Sequence, residues 1–115
     1  MRPSKTRGYL PVMNDTKWDE LRLAMWNLPE GAPQWRTKDL ENDVVSRWDR
    51  EWFYHFRECG YSTIEWVEIR CNSPAQSAAV NHHLAQIHVP VEITDNVFKV
   101  YGFIVPGESV DYARA

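Results

Sequence analysis

The sequence predicts an α+β fold, a single mostly antiparallel sheet with two helices packed on one face. Three observations carry that expectation. Two stretches repeat apolar residues at helical spacing, and each is opened by a capping residue. Runs rich in aromatic and β-branched residues lie between and after them. The order helix, strands, helix, strands lacks the strict alternation of parallel βαβ units.

The first helix is expected from Asn14 or Thr16, either of which can cap it, with Asp19 three residues after Thr16. Trp18, Leu21, Met25 and Leu28 then form one apolar stripe, and Pro29, Gly31 and Pro33 end the helix. From Trp35 the period changes to that of a short edge strand, with Trp35, Thr37 and Asp39 opposed to Arg36, Lys38 and Leu40. Leu40 to Glu51 reads as a polar loop or a wide hairpin connection. Trp52 to Phe56 reads as a strand, with Trp52, Tyr54 and Phe56 on one face. Glu58, Cys59 and Gly60 then turn the chain.

Thr63 to Cys71 is the next strand, and its alternation is imperfect. Ile64 and Trp66 share a face with Glu68, whereas Val67 and Ile69 share the other with Glu65. Either both faces are partly covered or a bulge shifts the register. Ser73 and Pro74 open the second helix, with Gln76 placed for a capping box and Val80, Leu84 and Ile87 as its stripe. After Pro90, two strands flank Asp95-Asn96, a tight hairpin turn. Residues 1–12 read as a tail or an edge segment pinned by Tyr9, Leu10 and Val12. The tail from Pro106 onward reads as loose.

At 115 residues the length fits one domain with a single core, its ordered body about 9–105. Hydrophobic residues at 43% and charged residues at 25% argue against disorder. A net charge of −3 weighs against a life on nucleic-acid backbone. Cys59 and Cys71 form no CxxC pair and read as reduced thiols of a cytoplasmic protein. Residues 1–13 carry basic residues but no continuous apolar stretch, so no signal peptide is expected, and no run reaches membrane-spanning length.

No cofactor or catalytic motif stands out. His82 and His83 are adjacent on a helix and cannot chelate one ion as an i, i+4 pair would, so neither they nor His88 argue for a metal. Their place near a helix C-terminus has a sufficient electrostatic reason. No nucleophile elbow or phosphate-cradling glycine loop occurs. An enzyme is therefore not expected. The rival to a binding role is a small enzyme or ligand-binding fold using His55 with Glu65 or Glu68 beside the aromatic strands.

The densest signal is Trp35 to Ile69, which holds four of the six tryptophans among interleaved acids and bases. Tryptophan and arginine dominate the energetic centres of protein interfaces. Asp39, Glu41, Asp43, Asp49 and Glu51, with Glu65 and Glu68, are the candidate partner-binding acids, and Trp48 is the candidate anchor. The bland alternatives are a solvated mixed-charge surface for the acids and a ring folded onto the sheet for Trp48. An RNA-stacking platform on the aromatic strands is disfavoured by the overall acidity.

The segments MNDTKWDELRLAM, WRTKD, WDREWFYHF, GYSTIEWVEI, IHVP and FKVYGF resemble a family of short uncharacterised bacterial proteins, from about Met13 to Phe103. In that pattern a glycine often stands where this chain has Arg50 and Val91. The resemblance implies a bacterial cytosolic protein similar in size and acidity to immunity proteins of polymorphic toxin systems. Such proteins neutralise a toxin or effector by direct contact. The implied partner is a basic or toxin-like protein, with no cofactor.

Overall fold

The computed structural model describes residues 8–114. Its elements are β1 (Leu10–Pro11), α1 (Asp15–Trp26), β2 (Gln34–Asp39), β3 (Ile64–Arg70), α2 (Pro74–Ile87), β4 (Val91–Thr94), β5 (Val97–Tyr101) and β6 (Phe103–Ile104). They form two sheets, not the single sheet expected. One has four antiparallel strands in the order β2-β3-β5-β4, and the other pairs β1 with β6.

Gly102 is the physical reason for that correction. VFKVYGFIV reads as one strand, but a Cβ at Gly102 would lie 2.0 Å from the carbonyl oxygen of Ile64. Only glycine lets the two backbones approach so closely. The chain bends there, held by Gly102 N–H donating to Glu65 O at 2.8 Å and Val12 N–H donating to Gly102 O at 2.9 Å. Phe103 and Ile104 leave β3 and pair with Leu10 and Pro11 instead.

The helices start where the caps predict. Asn14 accepts from Lys17 N–H, and Ser73 accepts from Gln76 N–H with Pro74 in the first turn. Gln76 does not close the reciprocal capping box. Its Oε1 accepts from Asn72 N–H and its Nε2 donates to Gly31 O, so one buried amide ties together the two loops before β2 and before α2. The stripe Trp18, Leu21, Met25 packs with Val80 and Leu84 onto the inner face of the four-stranded sheet. That face carries the rows Trp35–Ile69–Phe98 and Thr37–Val67–Val100–Val91.

Trp52 to Phe56 is not a strand. Glu51 accepts backbone N–H bonds from Phe53, Tyr54 and His55, which winds the chain into a turn and then a 3₁₀ helix over His55–Arg57. Trp52 and Phe56, four apart, both reach the core, while Tyr54 is 65% exposed. Trp52 and Phe56, spaced four apart, fit both a strand face and one side of a helical turn, and the carboxylate cap decides. Trp52 and Phe56 lie 4.8 Å apart between ring centroids and meet Trp35 at 6.0 and 5.1 Å, and both indole N–H groups donate to backbone carbonyls. The buried Arg22 donates to Phe53 O and fastens this segment to α1.

The imperfect alternation in β3 is a bulge. Lys38 pairs with Trp66 but Asp39 pairs with Ile64, so Glu65 is the extra residue. Leu40–Glu51 is the wide hairpin connection in part. Asp39–Val44 turns, and the chain returns along β2 through the bridges Lys38↔Val45 and Trp35↔Asp49. This arm covers the β2 edge. At the opposite edge the tail expected to be loose docks, with Asp111 O accepting from Val91 N–H and Ala113 N–H donating to Val89 O. Expectations for residues 1–7 lie outside the described residues.

Candidate interaction face

The candidate site is the face of the four-stranded sheet that points away from the helices. Three rows cross it: Gln34–Arg70–Val97–Thr94, Arg36–Glu68–Lys99–Glu92 and Lys38–Trp66–Tyr101. Alternation along each strand puts them there, opposite the apolar rows. Trp48 reaches this face from the arm. Asp49 stands opposite Trp35, an inner-face residue, so its neighbour Trp48 is turned outward.

The Trp48 ring rests on two guanidiniums, its centroid 4.5 Å from Arg36 and 4.0 Å from Arg70, and stays half-buried. It therefore folds back onto the sheet while keeping part of its surface in water. Lys99 makes a similar pairing, 4.7 Å from Trp66 and 5.9 Å from Tyr101. Burial pushes the Tyr101 phenol up, and the negative field of Glu92, Glu108, Glu65 and Glu68 adds to this.

The predicted acids divide into three groups. Glu68 accepts from Arg36 Nε at 2.7 Å and Glu65 lies 3.3 Å from Lys38, so both join Trp48 on the outer face. Asp43 also approaches Lys38, at 3.7 Å, from the exposed turn it shares with Glu41. Asp39, Asp49 and Glu51 instead build the arm. Asp39 accepts from Glu41 N–H, Asn42 N–H and Thr63 Oγ1, closing the turn. Asp49 accepts from Glu51 N–H and contacts His55 Nδ1 at 2.8 Å.

These bonds shift the pKa values of the groups that make them. Burial alone would raise Asp49, but the N–H of Glu51 and the His55 ring outweigh it and lower its pKa. The backbone N–H of His55 is the main cause of the lowered pKa of Glu51. The hydrogen bond to Asp49 raises His55.

Sequence reasoning missed Arg36, Arg70, Lys99, Trp66 and Tyr101 as members of one face. Their alternation with Trp35, Thr37, Val67, Ile69 and Val100 was the available signal. It was obscured at Glu65, where the bulge breaks the period. Arg50 and Val91, where the resembling pattern often carries glycine, both hold a backbone without positive φ.

A family model described as a family of unknown function, DUF6678, matches residues 2–107. The chain belongs to the DUF6678 family. No curated protein and no solved structure matches it. No helix among the described residues is long and apolar enough to cross a membrane. Nor does any group of three or more His, Cys, Asp or Glu among them have the arrangement of a metal site.

Proposed function

We propose that this DUF6678 chain is a protein-binding module that docks its partner on the outer sheet face, with Trp48 as the anchor. The carrying observation is the Trp48 ring set on Arg36 and Arg70 on a face that neither helix covers. Trp, Tyr and Arg are the side chains that concentrate interface energy, and Arg36, Arg70, Trp66 and Tyr101 stand on paired strands beside Trp48. A ring already held in place loses little entropy on binding. The acids Glu41 and Asp43 at the arm's tip, with Glu65 and Glu68, supply the acidic part of a mixed-charge rim that steers encounter.

The finer reading is that of an immunity protein in the bacterial cytoplasm, neutralising a basic or toxin-like effector. It rests on the sequence resemblance, the acidic balance and the two unpaired thiols, Cys59 and Cys71. An interface of standard size, on the order of 1,600 Å² in total, is sufficient for it.

The test is affinity purification of the tagged protein from its own cells, followed by calorimetry with the purified partner. Trp48→Ala should weaken binding by about tenfold or more. Trp26→Ala, at an exposed tryptophan on α1, should bind normally. Normal binding by Trp48→Ala, or no stable partner at low salt, rejects the assignment.

One observation favours a second reading, a ligand-binding or enzymatic role. His55 is paired through Nδ1 with Asp49 and lines a cavity of about 270 Å³ together with Cys59, Ser46 and Thr63. A histidine oriented by a carboxylate can serve as a general base. Loss of a bound small molecule or of turnover on His55→Gln, with protein binding intact, would favour that reading.

A further inference from the structure

A second cavity, of about 210 Å³, opens where β2, β3 and the β4–β5 turn come together, and Arg70, on which the Trp48 ring stacks, lines it. The charged side chains lining it are Arg50 and Arg70, and no carboxylate lines it. Gln34, Asn72, Gln76 and Asn96 complete its polar wall.

Arg70 is held in one pose. Its Nε and Nη2 donate to Gln34 Oε1 at 3.0 and 2.8 Å, and its guanidinium stacks 4.0 Å from the Trp48 ring centroid. Among the described residues neither Arg50 nor Arg70 has a carboxylate within ion-pair distance, whereas Arg36 is paired with Glu68 and Lys38 with Glu65. Asp49, next to Arg50, is engaged by Glu51 N–H and His55. Two arginines that line one recess with no carboxylate partner leave N–H donors suited to a planar oxyanion, Arg70 through the Nη hydrogens that Gln34 does not hold.

We propose that this cavity is an oxyanion site that receives a carboxylate of the protein partner, seated against Arg50 and Arg70 beside the Trp48 anchor. The protein source rests on the binding reading above. A carboxylate is favoured over phosphate on a nucleic acid because Glu68 and Glu92 on the same face, and the net charge of −3, repel a polyanion. A single carboxylate carries one charge and meets less of that repulsion, and Arg70 is already held in place by Gln34 and the Trp48 ring.

The experiment titrates the full chain with acetyl-aspartyl-amide, with inorganic phosphate, and with sodium chloride at matched ionic strength, read by NMR. The expected result is saturable movement of the Arg70 Nε–H and Trp48 indole N–H resonances with the aspartyl probe. Arg50→Gln and Arg70→Gln should each weaken it about tenfold, the effect of one charge-assisted hydrogen bond. Arg70→Lys should weaken it as well, because an ammonium cannot hold Gln34 and the ligand in one plane. Shifts that follow sodium chloride without saturating overturn the site, as does unchanged affinity in Arg50→Gln and Arg70→Gln. Phosphate binding tenfold tighter than the carboxylate overturns the ligand class. The two readings separate with the purified partner: binding lost in Trp48→Ala but kept in both arginine variants removes the pocket and leaves the docking face. Saturation by the probe with no protein partner leaves the oxyanion site and removes its protein source.

Discussion

Replacing Gly102 with alanine should destabilise the fold by several kcal/mol. The added Cβ would sit 2.0 Å from Ile64 O and 3.1 Å from the Trp18 ring, against the 3.0 Å below which Cβ contacts essentially do not occur. The crowding atom is a backbone oxygen, so no rotamer change relieves it, and the two strands must separate by about 1 Å. That stretches the 2.8 Å bond from Gly102 N–H to Glu65 O past hydrogen-bonding distance. Its net loss costs about 1 kcal/mol, and overpacking against buried groups adds about 1–3 kcal/mol. The sum, about 2–4 kcal/mol, is a large part of the ~6–17 kcal/mol expected for 115 residues at about 0.05–0.15 kcal/mol each. At about 3–4 °C per kcal/mol for this size, Tm should fall by roughly 6–16 °C. Thermal and urea unfolding followed by circular dichroism measure it. Gly8→Ala, where nothing lies within 4 Å, is the control and should unfold like the wild type. A Gly102→Ala protein whose Tm drops by less than about 2 °C would refute the close approach, and with it the reason given for the two-sheet arrangement.

Two further outcomes follow from buried and charged groups. Gln76→Leu orphans Asn72 N–H and Gly31 O together and should destabilise by about 2–4 kcal/mol in urea unfolding, whereas a shift below about 0.5 kcal/mol would show that water replaces the amide. His55 has a raised folded pKa through its bond to Asp49, so its contribution is fully present below the unfolded value near 6.5 and is lost as pH rises through the folded one. His55→Gln should therefore lower the urea midpoint more at pH 5.5 than at pH 8.5, and an equal drop at both would show that the pair does not form in solution.

The geometry of the arm also changes what a mutation there reports. Asp49→Ala removes an acceptor for Glu51 N–H and the partner of His55, so it perturbs the arm itself. Trp48→Ala removes a ring that rests on the sheet from outside and is the cleaner probe of binding.

Local chemistry wrote much of this protein into its sequence. Asn14 and Ser73 mark the helix starts, the stripes through Trp18 and Val80 mark the buried faces, and Asp95-Asn96 marks the last hairpin. Each depends on residues within a few positions of one another, which is why spacing alone suffices. Where two local readings competed, spacing was silent. Trp52 to Phe56 alternates like a strand, and the three N–H groups gathered by the Glu51 carboxylate made it a turn. The tertiary structure alone decided the rest, through contacts between distant segments. Ile64 O against Gly102 split one sheet into two, and the Glu65 bulge turned Trp66 outward. The return of the arm along β2 then set Trp48 on Arg36 and Arg70, residues 12 and 22 positions away. Side chains so far apart share a face only once the strands have paired, because pairing register is a property of two segments and not of either one.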